Sequence, residues 1–274
     1  MRKNIVLDGN FSAGGQKPNT RVLARRQRII NIDVDVIDLN ESVKYVHDLA
    51  LEKKGGYICL SNVHMCMESL DDIELRTILQ HADLVLPDGK PLSWAQQLLG
   101  HSNGTQVRGQ DLMERLCEMG KTQTLNIGLY GGESEELLLK VKKELLRKNP
   151  NLKISFAFAP PFRPLTPSED AHVISQIKKA KVDILFVGIG CPKQERWMKE
   201  HKKKISSVMV GVGAAFDFAA GCKRSAPRWM QKIGFEWLFR LVAEPKRLWK
   251  RYLKQNPRFI CYFLQQWLFD RKYR

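Results

Sequence analysis

The residues with chemistry to offer stand at the ends of short apolar runs. Leu84-Val85-Leu86 stops abruptly at Pro87-Asp88-Gly89. Pro presets φ, Asp tolerates a turn and Gly permits positive φ. The pattern places one carboxylate, Asp88, at the carboxyl end of a buried strand, where open α/β sheets hold their ligands. The competing reading is a cap for a helix that begins near Leu92. Asp183–Val187 runs in the same way into Gly188-Ile189-Gly190-Cys191-Pro192-Lys193-Gln194-Glu195. Two glycines close the strand, Pro192 opens a helix in its favoured first turn, and Gln194 offers an amide to hydroxyls or a base. Tyr57–Ser61 ends in Ser61-Asn62-Val63-His64, where Asn62 is equally a cap for a helix over Met65–Gln80. His64 reads as a packing or capping residue. Thr124–Tyr130 runs into Gly131-Gly132-Glu133-Ser134. A glycine pair at a strand-to-helix turn lets backbone N–H groups face an anion, although it falls short of G-x-G-x-x-G.

The elements that must carry these groups alternate. Helical patterns cover Asn40–Lys53, capped by Asn40 or Ser42, then Met65–Gln80, Gln106–Met119, a stretch after Ser134 to Lys148, and Ser168–Ala180. Between them lie apolar strands, including Leu152–Phe158 and a last one at Val208–Val212. Strand-helix alternation argues for a mostly parallel sheet covered on both faces. Asn62, Asp88, Gly131/Gly132 and Gln194 then share one sheet edge, which favours a binding crevice over four unrelated caps. The rigid loop Pro160–Pro167 borders it. Asn31–Leu39 alternates apolar and acidic residues as a half-buried strand does. Its Asp33-Val34-Asp35 is a D-x-D, a pattern that can hold a divalent metal; alternation puts both carboxylates on one face, where solvent accounts for them.

The formal charge of +16 sits at the two ends of the 274 residues. Residues 1–30 carry a net +6 and residues 227–274 a net +9, so the body between them is close to neutral. Basic ends imply an anionic partner. Residues 1–28 lack periodicity and read as a basic, loosely attached arm. Residues 227–274 hold twelve aromatics. Trp229, Ile233, Trp237 and Leu241 recur at every fourth position, one helix face, interleaved with Arg228, Lys232, Arg240 and Arg247. Pro245 and Pro257 divide the region into three short helices. Basic aromatic helices of this kind lie in a membrane interface, and the continuity of the apolar face disfavours nucleic acid. No C-x-x-C pair occurs among the six cysteines, which argues against a zinc site or a disulfide framework. No apolar run suits a signal peptide or a bilayer span, and a cytoplasmic protein on the inner membrane face is expected.

Together ADLVLPDGKP, VGIGCPKQERW, GVGAAFDFAAG, RSAPRWMQKIGFEWLFRL and the following EPKR resemble the WecG/TagA/CpsF family of bacterial glycosyltransferases, from about residue 31 to about residue 255. The resemblance implies three parts: an arm over 1–30, a Rossmann-like α/β core over 31–226 and a helical membrane-associating appendage over 227–274. It implies inverting transfer of a sugar, N-acetylmannosamine or a related hexose or uronic acid, from a UDP-sugar to a polyprenyl-diphosphate-linked sugar during cell-surface polysaccharide synthesis. No metal or other cofactor is implied.

Residue by residue, Asp88 matches the family's general base and Gln194 a pocket glutamine. Asn62 matches the asparagine of a T-x-N motif, which reads Leu60-Ser61-Asn62 here, so the threonine is absent and Ser61 is the hydroxyl beside it. An arginine often precedes V-x-G-x-D; Gln106 stands there, with Arg108 two places on. Arg240 and Arg247 are the counterparts of residues that reach the lipid diphosphate. Gly131, Gly132, the Gly190–Pro192 turn and an appendage arginine are candidates for meeting the leaving UDP, since charge developing in a transition state needs fixed dipoles or cations. The competing class is a non-catalytic nucleotide-sugar or nucleic-acid binder using the basic tails. A dinucleotide enzyme fails on the absent fingerprint.

Overall fold

The computed structural model describes residues 25–123 and 125–272. Most of the basic arm therefore lies outside the described residues. Its last part does not: β1 (Arg25–Ile29) pairs antiparallel with β2 (Ile32–Val36) in a separate hairpin. The remaining strands are β3 (Gly56–Ser61), β4 (Leu84–Pro87), β5 (Asn126–Gly131), β6 (Lys153–Phe158), β7 (Ile184–Gly188) and β8 (Val208–Gly211). They form one six-stranded sheet in the order β4-β3-β8-β7-β5-β6, parallel throughout.

Two apolar layers sandwich the sheet, and the two-residue period of the strands sorts side chains between them. Ile58, Leu60, Leu84, Leu86, Phe186 and Val210 face one layer. Tyr57, Cys59, Val85, Leu185, Val187 and Met209 face the other. The first layer is covered by α1 (Leu39–Leu51), α5 (Gly109–Gln123), α6 (Glu135–Lys148) and α9 (Ala215–Ala219). The second is covered by α2 (Val63–Asp71), α3 (Ile73–Gln80), α4 (Lys90–Leu98), α7 (Pro167–Lys179), α8 (Lys193–His201) and the hairpin. The α/β fold with helices on both faces is the one the alternation implies. Two helix starts differ from the sequence reading. Asp38, not Asn40 or Ser42, caps α1 in a reciprocal capping box with Glu41. Asp72 ends α2 and caps α3, so Met65–Gln80 is two helices.

The D-x-D belongs to the hairpin and is not solvated as expected. Asp35 is buried, accepts from Arg26 Nε at 3.1 Å, and accepts from the Val85 N–H of β4 at 2.7 Å. Asp33 pairs with Arg28 at the surface. Asp35 thus pins the hairpin to the strand that leads to Asp88.

The C-terminal region consists of α10 (Arg228–Lys232), α11 (Glu236–Ala243) and α12 (Pro245–Lys272). The sequence placed Trp229, Ile233, Trp237 and Leu241 on one helix. Instead the chain turns at Gly234, whose φ of +79° suits glycine, and where a Cβ would lie 2.4 Å from Trp94 Cη2. Pro257 was expected to break the region, yet α12 runs through it. Tertiary packing outweighs the lost hydrogen bond: Phe259 and Phe263 stack and are buried against the core. Polar ties reinforce the docking. Arg258 forms a two-pronged pair with Asp71, Gln255 Nε2 donates to Glu68, and Gln266 bridges the hairpin turn through the Ile30 N–H and the Arg28 carbonyl. No helix among the described residues is long and apolar enough to cross a membrane.

Asp35→Ala leaves the buried Val85 N–H without its acceptor and is expected to cost about 1–3 kcal/mol in chemical denaturation. Asp33→Ala, breaking an exposed pair, should stay within about 0.5 kcal/mol.

Candidate active site

All six parallel strands send the following loop to one cavity of about 530 Å3 at their carboxyl edge. Asn62 follows β3, Asp88 β4, Gly132 β5, Phe162 β6, Gly190 and Gln194 β7, and Gly213 β8. Arg108, Arg240, Arg247 and Arg251 also line it. Of the candidates from sequence, Asp88, Asn62, Gly132, Gly190, Gln194, Arg108, Arg240 and Arg247 are brought together. Ser61 and Gly131 are not among the lining residues.

Asp88 is held by its backbone first. Its N–H donates to the Ser61 carbonyl at 2.7 Å, and its own carbonyl accepts from Gln106 Nε2 at 2.7 Å. The first of these extends the β3–β4 pairing by one residue and explains what Ser61 does here. The Ser61 hydroxyl is buried without a partner. The Asp88 carboxylate is half-buried. It accepts from the Gly109 N–H, the first residue of α5, at 3.2 Å, and from the Asn62 amide. Asn62 does both things the sequence left open, because its Oδ1 also caps α2 through the His64 and Met65 N–H groups. Burial pushes the Asp88 carboxyl up to about 6; Arg240 opposes the rise and Glu236 adds to it. His64, beside it, is held down to about 4, chiefly by burial and then by Arg251, and is neutral near pH 7.

The glycine pair plays a different part from the one expected. The Gly132 N–H donates to the Gly188 carbonyl at 3.1 Å, so it is spent within the protein. Gly131, at φ +135°, lets β5 and β7 close together: a Cβ there would sit 2.5 Å from Gly188. The cations of the cavity differ in how they are paired. Arg108 is paired with Asp111 at 2.7 Å, Lys223 with Asp217 at 2.7 Å, and Arg247 with Glu244 at 2.6 Å. Arg240 and Arg251 form no ion pair among the described residues, and the Nε of each is buried without a partner. Arg240 lies over the Phe218 ring, 5.7 Å from its centroid, and Arg251 Nη2 reaches Asn62 Oδ1 at 3.4 Å. Sequence reasoning missed Arg251. Its one signal was position, four residues after Arg247 and hence one helical turn along.

Gln194 is buried over Gly211 at the end of β8. Its Nε2 donates to Glu195 Oε1 at 2.8 Å, leaving Gln194 Oε1 unpartnered as an acceptor at the cavity. Glu195 is fully buried, and burial pushes its carboxyl up to about 7. It too escaped the sequence reading, being the polar residue next to a more obvious one.

A carboxyl with a raised folded-state pKa favours the fold when protonated. Stability is therefore present below about pH 4 and lost as pH rises toward 6, where the unfolded chain ionises first. Asp88→Asn should raise the thermal midpoint by a few degrees at pH 8 and leave it unchanged at pH 4, read by calorimetry.

The chain is similar in sequence to named proteins. A Bacillus subtilis (strain 168) protein named N-acetylglucosaminyldiphosphoundecaprenol N-acetyl-beta-D-mannosaminyltransferase is 26% identical over 242 residues, 88% of this chain and 91% of its own. A Staphylococcus aureus (strain NCTC 8325 / PS 47) protein of the same name is 31% identical over 184 residues, 67% of this chain and 69% of its own. The pattern of the Glycosyl transferase WecG/TagA/CpsF family matches residues 27–273, nearly the whole described structure, and the chain belongs to that family of glycosyltransferases.

Proposed function

We propose that this enzyme moves an N-acetylhexosamine, N-acetylmannosamine on the precedent of its relatives, from a UDP-sugar to a sugar on a polyprenyl diphosphate, with inversion, in cell-surface polysaccharide assembly. The observation that carries the reading is Asp88: a carboxylate lining the crevice, with a pKa raised to about 6 and two guanidinium groups close by that have no ion-pair partner among the described residues. A sugar hydroxyl attacks poorly until a base takes its proton in the transition state. In the proposed step the acceptor oxygen bonds to the anomeric carbon, its proton passes to Asp88, and the bond to UDP breaks on the opposite face. One carboxylate suffices for such a single displacement. Arg240 meets the charge growing on the leaving diphosphate, and the free Gln194 Oε1 accepts from a donor hydroxyl or N–H. Arg108 and Arg247, tied to Asp111 and Glu244, hold the walls in place.

The exposed apolar residues of α10–α12 give the enzyme a way to reach an insoluble acceptor. Trp229, Val242, Trp249, Leu253, Leu268 and Phe269 are exposed among Lys and Arg, a surface suited to the interface of an anionic leaflet. This keeps the membrane reading of the sequence while assigning the buried aromatics, Phe259 and Phe263, to docking.

The experiment is UDP release from a panel of UDP-sugars with a lipid-diphosphate-linked N-acetylglucosamine acceptor. The expected donor is UDP-N-acetylmannosamine. Asp88→Asn should lower turnover by about a thousandfold or more while calorimetry still detects donor binding. The wild-type rate should rise about tenfold per pH unit below about 6 and level off above it, as ionisation of Asp88 requires. Near-normal turnover by the variant removes Asp88 from the base role.

A further inference from the structure

A second cavity, of about 510 Å3, meets the first at Asn62, Asp88, Glu236, Arg240 and Arg251. Away from that junction its character changes. Trp94 and Leu98 of α4, Trp237 of α11, and Phe259, Ile260 and Phe263 of α12 make its walls. The walls are tied to one another. Trp267 Nε1 of α12 donates to the Leu98 carbonyl at 3.3 Å, and the Gly234 turn packs directly on Trp94. The groove is thus a formed feature between the core and the C-terminal helices, polar and cationic at one end and apolar along the rest.

Neither part of a UDP-sugar suits the apolar end. An anionic amphiphile suits both ends at once. Arg251 supplies a guanidinium with no carboxylate partner among the described residues, at the mouth shared with Asp88. The aromatic and aliphatic walls supply the surface for a tail. We infer that this groove receives the isoprenoid segment adjoining the diphosphate of the acceptor lipid, with the diphosphate against Arg251. The inference rests on the proposed acceptor class and adds where its lipid goes. The acceptor sugar is then held at Asp88 from one side while the donor occupies the first cavity. Beyond the groove, the outward residues Leu253, Leu264 and Leu268 of α12 continue the apolar surface, so the distal chain stays in the bilayer. Each methylene buried in the groove multiplies affinity about fourfold before the cost of ordering the tail.

Binding can be read without a bilayer and without turnover. The full-length protein is titrated with farnesyl diphosphate and with inorganic diphosphate, following tryptophan fluorescence and calorimetry. Farnesyl diphosphate should bind at least roughly tenfold more tightly. Leu98 and Ile260 are each more than half exposed, at 54% and 56%, so Leu98→Glu and Ile260→Glu spare the core. Both should abolish the tenfold gain and keep diphosphate binding, which also reports that the variants are folded; Leu98→Ser and Ile260→Ser repeat the comparison with smaller changes. Leu139→Glu, on exposed surface of α6 outside both cavities, should change neither. Equal affinity for the two probes, a gain that survives the groove substitutions, or a gain lost equally in Leu139→Glu overturns the inference. Farnesyl binding in the expected pattern, with no UDP release from any donor, would instead overturn the transfer reading and leave the groove standing.

Discussion

Burial of the Asp88 carboxyl at the sheet's carboxyl edge costs free energy, because a charge withdrawn from water must be met by dipoles or opposite charge. Each compensating group comes from a different element. The Gly109 N–H belongs to α5, the Asn62 amide to the start of α2, and the opposing charge of Arg240 to α11. Even with all three in place, the carboxyl stays raised to about 6. The position is therefore set by the meeting of strand register, two helix starts and the last turn of α11, and any one of them moving would change how readily Asp88 ionises. Register comes first. The Asp88 N–H continues the β3–β4 pairing onto Ser61, and β4 is itself fixed to the hairpin through Asp35 and Val85.

The C-terminal helices complete this arrangement as well as extending it. α11 and α12 bring Arg240 and Arg251 to the junction of the two cavities, and Glu236 with them. Their docking is specific, not a loose apolar cover. Phe259 and Phe263 enter the core layer, and Arg258, Gln255 and Gln266 each find a defined partner on α2 or the hairpin. What stays outside is apolar and basic. One segment thus shapes the site with one face and leaves an apolar, basic surface on the other.

Much of the fold was legible because its cause is local. Strands buried on both faces read as apolar runs, and Pro-Asp-Gly or Gly-x-Gly at their ends reads as a loop whatever follows. That was enough to put Asn62, Asp88, Gly132, Gly190 and Gln194 around one crevice. The failures share a different cause: the deciding partner was remote in sequence. Asp35 looked solvated because nothing near it reveals Val85. Residues 25–29 looked like part of an arm because a two-stranded hairpin has no signature without its mate. Pro257 is a sound helix breaker by itself and yields to Phe259 and Phe263, which stack together in the second core layer. Gly132 had a free N–H until the Gly188 carbonyl was known to lie 3.1 Å away. Arg251 was one cation among twelve in the tail, and only its burial at the junction of the two cavities sets it apart.

Groups in unfavourable surroundings occur at and beside the first cavity. Asp88 and Glu195 are carboxyls whose burial holds their pKa values at about 6 and about 7, and burial lowers the Arg251 guanidinium from its ordinary value. Gln194 Oε1, Arg240 Nε and Arg251 Nε lack partners. All but Glu195 line the first cavity, and Glu195 holds the amide of a residue that does. A chain selected only for stability would replace or pair such groups, as this one does with Asp35 and Arg26 away from the crevice. Unpartnered atoms also occur away from this cavity, on His47, Gln96, Ser155 and Trp197, but the carboxylate and guanidinium atoms without partners belong to Glu195, Arg240 and Arg251, at or beside it, and such clustering marks a candidate ligand site. Two cations and an acceptor beside a carboxyl of raised pKa are the groups that the proposed reaction, between a diphosphate sugar and a hydroxyl, would draw on.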